Sequence, residues 1–160
     1  MVGGEGEHLG LVWIHSSYPV VAAGLKQALE GQARVHVGQT APPDAEVPCC
    51  AVFDTSGAKS ISEGIERIRG VGPDITILVF SLHVDLPLAR AALRYGARGF
   101  IHAGMELDQI ARAVEVAHEG EIVAPRKLLE YLIANDAPAD LNALTIRQRE
   151  ILQLGSVCKS

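Results

Sequence analysis

Residues 75–104 read ITILVFSLHVDLPLARAALRYGARGFIHAG, and their pattern decides the fold. Ile75 to Ser81 is a continuous apolar run, rich in strand formers and ended by a hydroxyl. It is too short for a buried helix and reads as a strand covered on both faces. Leu86 to Tyr95 carries apolar residues at helical spacing and is closed by Gly96. Residues 98–102 (RGFIH) return to a strand pattern. Strand, helix and strand in so short a stretch make a crossover unit, which places the two strands parallel.

The same alternation extends in both directions. Upstream, Leu9 to His15 is a strand-like run that leads into a helix with Val21, Gly24, Leu25, Ala28 and Leu29 on one face. Ser17 is placed to cap this helix, Pro19 suits its first turn, and Gly31 ends it. Residues 34–38 (RVHVG) alternate as a short strand. Residues 39–48 contain Pro42, Pro43 and Pro48 and predict no helix. Cys49 to Asp54 is a strand ending on an acid, and Ser60 to Arg69 is a helix. Downstream, Leu107, Ile110, Ala111, Val114 and Ala117 mark a helix that Gly120 stops. Five strands alternating with helices predict an α/β, doubly wound, flavodoxin-like parallel sheet of order 2-1-3-4-5, with the second helix shortened or absent. In such sheets ligands bind at the carboxyl ends of the strands. That edge carries His15, Ser16, Ser17, Asp54, Ser81 and residues 102–104.

Composition narrows the function classes. Of 160 residues, 48% are hydrophobic and 21% charged, which excludes a disordered chain. Aromatic residues make up only 4%, so Val, Ile, Leu and Ala must build the core. A formal net charge of -5 argues against these residues forming, as a whole, a nucleic-acid surface. Three cysteines (Cys49, Cys50 and Cys158) make no disulfide framework, and strand alternation sends the first two to opposite faces. They read as core thiols of a cytoplasmic protein. There is neither a signal-peptide pattern nor an apolar run long enough to span a bilayer, so no membrane role is expected.

Past Gly120 the pattern changes. Pro125 opens a short helix through Leu128, Leu129, Leu132 and Ile133, and residues 135–143 (NDAPADLNA) read as a linker. Thr145 and Gln148 then form a capping box at the start of a last helix that has barely three turns before Gly155. A lone helix of that length is marginal in water, which predicts the beginning of a further domain. The expected division is a flexible leader at 1–8, a main domain at 9–122, a helix and linker at 123–143, and a truncated domain start at 144–160.

Two stretches carry a family resemblance. Residues 144–154 (LTIRQREILQL) resemble the opening of the LuxR-type helix-turn-helix, Leu-Thr-x-Arg-Glu-x-Glu-Val-Leu. Leu144, Thr145, Arg147, Glu150 and Leu152 match it outright. Residues 78–104 resemble the fourth strand, following helix and fifth strand of NarL/FixJ-type response-regulator receivers, most specifically at Arg94-Tyr95-Gly96-Ala97-Arg98-Gly99-Phe100. With Gly24-Leu25 after Tyr18-Pro19, the resemblance spans nearly the whole chain. It implies a non-enzymatic regulatory module and a homodimer, with DNA bound through a complete C-terminal domain. The surfaces it offers for dimerisation are the helix from Leu86 with strand 98–102 and the helix from Leu107, or the helices beginning near Pro19 and Leu107.

The resemblance also sets expectations for the site, and several positions depart from it. The phospho-acceptor position is Asp54. The acidic pair that would hold Mg²⁺ is replaced by Ser16 and Ser17, whose neutral hydroxyls are weak ligands for a hard cation. The phosphoryl-neutralising lysine is replaced by Ala103. Ser81 and Phe100 match the switch hydroxyl and switch aromatic. Phosphoryl transfer depends on neutralising the equatorial oxygens, so poor phosphorylation at Asp54 is expected. No cofactor and no metal site are expected. His15, His83 and His102 match no ligand spacing, and alternation is expected to turn His102 away from Ser81 and Asp54. Ser16 and Ser17 lack the Gly-x-Ser-x-Gly setting of a nucleophile, and no glycine-rich phosphate loop follows the first strand. The alternatives are a phospho-acceptor with a weakened metal site, or a protein or small-molecule effector, the latter in a Ser16/Asp54/Ser81 pocket.

Overall fold

The computed structural model describes residues 9–43 and 46–135. Five strands, β1 (Leu11–His15), β2 (Arg34–Val37), β3 (Cys50–Asp54), β4 (Thr76–Ser81) and β5 (Gly99–His102), form one parallel sheet. The strand order is β2-β1-β3-β4-β5. The helices are α1 (Pro19–Ala28), α2 (Ile61–Val71), α3 (Leu86–Arg94), α4 (Leu107–His118) and α5 (Arg126–Asn135). This is the expected flavodoxin-like topology. Among the described residues between β2 and β3 there is no helix, consistent with the prolines there.

Strand alternation divides the core in two. Val12, Ile14, Cys50, Val52, Leu78, Phe80 and Ile101 face α1 and α4, where Leu25, Leu29, Ile110 and Val114 cover them. Trp13, Ala51, Phe53, Ile77, Val79 and Phe100 face the other way, under Ile65 and Ile68 of α2 and Ala89 and Ala92 of α3. Leu128 and Leu132 of α5 join this second core, and Val123 exchanges backbone hydrogen bonds with Arg98 and Phe100. The body thus continues past Gly120 into α5. At the sheet edge the Trp13 indole donates to the Gly38 carbonyl at 2.8 Å, pinning the end of β2.

Local chemistry sets the helix ends. Ser60 caps α2 by accepting from the Glu63 amide, and Asp85 caps α3 by accepting from the Leu88 amide. Before α4, Gln109 accepts from the Glu106 amide at 2.9 Å. For α1 the expectation needs correction. Tyr18 is the cap residue and Ser17 is exposed, one position too early to reach the first turn. Ser16 makes the turn instead, its hydroxyl accepting from the Tyr18 amide at 3.1 Å. Between α3 and β5, Gly96 takes a φ of 102°. A side chain there would also meet the Arg69 guanidinium, which donates to the Gly96 carbonyl.

Cys49 and Cys50 also depart from the expected alternation. The strand begins at Cys50 and Cys49 lies in the bend before it, so alternation does not apply between them. Cys50 is buried in the α1/α4 core, while Cys49 is half-buried with its thiol donating to the Leu9 carbonyl.

Candidate functional site

Parallel pairing brings the carboxyl ends of β1, β3, β4 and β5 to one edge of the sheet, with His15, Asp54, Ser81 and His102 as terminal residues. Asp54 is only 4% exposed. Its Oδ2 accepts a hydrogen bond from the Ser16 hydroxyl at 2.8 Å, and its Oδ1 accepts from the Ser56 amide at 3.0 Å. A hydroxyl has one proton to give. Donated to Asp54, it leaves the Ser16 oxygen free to accept from Tyr18, and the β1–α1 turn becomes one connected network.

Ser81 is buried at the end of β4, its hydroxyl accepting from the His83 amide at 3.4 Å. It pairs in register with His102, so the two leave the sheet on the same side. The expectation that His102 turns away from Ser81 is therefore corrected, because registered partners on parallel strands share a face. Ala103 is exposed, and its amide continues the ladder by donating to the Ser81 carbonyl. Phe100 is fully buried, with Leu128 and Leu132 in the same cluster.

The cavity at this edge lies to one side of Asp54. It has a volume of about 290 Å³, and its walls include His15, Asp54, Lys59, Ser60, Glu63 and Arg67. Ser17 also lines it, whereas Ser16 and Ser81 do not. Alternation explains the placement, since His15 shares the face of Trp13 and Phe53, toward α2. His15 is 5% exposed and its Nε2 has no hydrogen-bond partner. Burial lowers its pKa below the ordinary histidine value, and the Arg67 charge lowers it further against the opposing pull of Asp54. Glu63, Gly64 and Arg67 fall on one face of α2, just after its cap Ser60, a spacing present in the sequence but masked by the apolar stripe of Ile61, Ile65 and Ile68. Gly64 is what lets this face close on the sheet. A Cβ there would clash with the Phe53 ring.

No family model matches the chain. The chain is 33% identical over 155 residues to the methanol utilization control regulatory protein MoxX of Paracoccus denitrificans, covering 88% of this chain and 69% of that protein. The chain belongs to the NarL/FixJ family of response regulators. Over 92 residues it is 34% identical to the transcriptional regulatory protein FixJ of Rhizobium meliloti, covering 56% of this chain and 44% of FixJ. A solved LuxR-family DNA-binding response regulator from Silicibacter pomeroyi superposes with a TM-score of 0.58 at 26% identity, covering 74% of this chain and 99% of that one. The relatives of this NarL/FixJ-type chain are transcriptional regulatory proteins. Among the described residues, no helix is long and apolar enough to cross a membrane.

Proposed function

We propose that this chain is the regulatory receiver of a cytoplasmic, DNA-binding transcription regulator and that ordinary aspartyl phosphorylation does not control it. The observation that carries the reading is the Ser16–Asp54 hydrogen bond of 2.8 Å, formed where an acidic residue would share a Mg²⁺ ion with Asp54. A hard divalent cation wants several anionic oxygens, and Ser16 and Ser17 supply none. Ala103 offers no charge to the phosphoryl oxygens. A bound metal stabilises such a transition state by several kcal/mol, so the missing ligands weigh heavily. The role is regulatory rather than catalytic. Output runs through homodimerisation and through DNA contacts made by a complete C-terminal domain that begins near residue 144, a segment outside the described residues. The division into a leader at 1–8, a receiver at 9–122, a helix and linker at 123–143 and a helix-turn-helix start at 144–160 belongs to the same proposal. The packing of Leu128 and Leu132 ties the third segment to the receiver body.

Titration with Mg²⁺ followed by thermal unfolding tests the claim. The chain is expected to show no Mg²⁺-dependent stabilisation, which should appear in the Ser16→Asp/Ser17→Asp double variant. Saturable stabilisation of the unsubstituted chain would instead favour a phospho-acceptor with a weakened metal site.

A second reading, a small-molecule effector, is favoured by the cavity beside Asp54. Its walls hold both cationic and anionic groups, and the buried Nε2 of His15 has no partner. A metabolite screen by thermal shift tests it. The reading requires a stabilising compound whose effect is lost in Arg67→Ala and fails if none is found.

A further inference from the structure

At the opposite edge of the sheet, where β3 begins, three metal-ligand atoms converge. The Sγ atoms of Cys49 and Cys50 and an imidazole nitrogen of His118 all lie within 4.8 Å of one another. We propose that these three side chains form a binding site for a thiophilic transition-metal ion of the Zn²⁺ type. Around a tetrahedral zinc with Zn–S near 2.3 Å and Zn–N near 2.0 Å, neighbouring ligand atoms sit roughly 3.5–3.8 Å apart. The group therefore has to contract by about 1 Å at most. The mobile partner is His118, which is exposed at the end of α4 and closes on the sulfurs by side-chain rotation. Cys50 is the fixed one, buried in the α1/α4 core at the start of β3.

Several features of the surroundings suit a cation. His118 is the last residue of α4, where the negative end of the helix dipole lies. The Leu9 carbonyl accepts the Cys49 thiol, so the fourth position falls to this backbone oxygen or to water. The nearby Arg34 guanidinium is held by the Glu46 carboxylate. Two soft sulfurs and an imidazole select zinc-like ions over Mg²⁺ or Ca²⁺, and a Cys₂His set with one open position is an established zinc arrangement. On binding, two S–H bonds break, two metal–sulfur bonds form, and two protons pass to the buffer. The site lies away from the Asp54 edge and is independent of how that pocket is used.

Co²⁺ is the optical probe, added to the reduced full chain at one equivalent. The expected result is a thiolate-to-cobalt charge-transfer band with the visible bands of a tetrahedral site, bleached by one equivalent of Zn²⁺. Cys158→Ser should leave the spectrum unchanged. Cys49→Ser and His118→Gln, neither of them in the buried core, should weaken binding at least tenfold, the least that losing even an outer-sphere partner typically costs a metal site. Circular dichroism checks that both variants remain folded. A colourless protein at one equivalent overturns the proposal, as does a spectrum that survives in both variants or disappears in Cys158→Ser.

Discussion

Asp54 sits between two donors, the Ser16 hydroxyl and the Ser56 amide, so its buried carboxylate is satisfied without a metal. Removing the hydroxyl should therefore be felt in stability. Ser16→Ala is expected to lower unfolding free energy by about 1.5–3 kcal/mol, the usual worth of a hydrogen bond to a charged group. Urea denaturation measures this, with Ser17→Ala as a control expected within about 0.5 kcal/mol of the unsubstituted chain. His15 makes a second prediction. Its folded pKa lies below the ordinary 6.5, so the unfolded chain binds the proton first as pH falls. Stability from this group is complete above 6.5 and is lost as pH drops from there through the folded value. In melts across that range, His15→Phe should flatten the acid limb, and an unchanged limb would remove His15 from the account. That two neutral hydroxyls, Ser16 and Ser17, follow the first strand was legible in the sequence. Which of the two serines binds Asp54 was not, because it depends on where the chain turns into α1.

At the scale of elements, α2 decides where the cavity lies. Its face meets the sheet at Gly64, against Phe53, and nothing lies within 4 Å of a Cβ placed at Gly70. Gly64→Ala forces overpacking and should destabilise by about 1–3 kcal/mol. Gly70→Ala, in the same helix without a clash, should stabilise by about 0.4–1 kcal/mol through the entropy of the unfolded chain. Thermal melts of the pair separate packing from backbone propensity. Strand and helix positions followed from periodicity, since β1, β3, β4 and β5 bury both faces, the edge strand β2 stays partly exposed, and each helix buries one face. The site's side was harder to read, because it depends on His15 sharing a face with Trp13 and Phe53 beneath α2. Cys49 and Cys50 show the limit of alternation as a rule, which holds only from the first residue inside the strand.

The described residues form a sheet with a core on each face, and α5 closes the second core. The apolar stripe of α5 was visible as Leu128 and Leu132, but the face that receives it depends on Phe100 and Ala124 meeting in space. Leu128 is fully buried, so Leu128→Ala should cost about 2–5 kcal/mol and lower a single cooperative transition. A separate early transition for α5 in calorimetry would mean that the helix is not part of the body. Fold and family are carried by residues spread across the sheet, whereas the phosphorylation chemistry rests on a few side chains at one edge. A chain can therefore keep the first and lose the second. Whether that edge still takes a phosphoryl group is read from the intact mass of the chain after incubation with a small-molecule phosphodonor and Mg²⁺. The unmodified mass is expected, in the unsubstituted chain and in Asp54→Asn alike. Stoichiometric addition of one phosphoryl group, absent in Asp54→Asn, would instead make Asp54 a working phospho-acceptor.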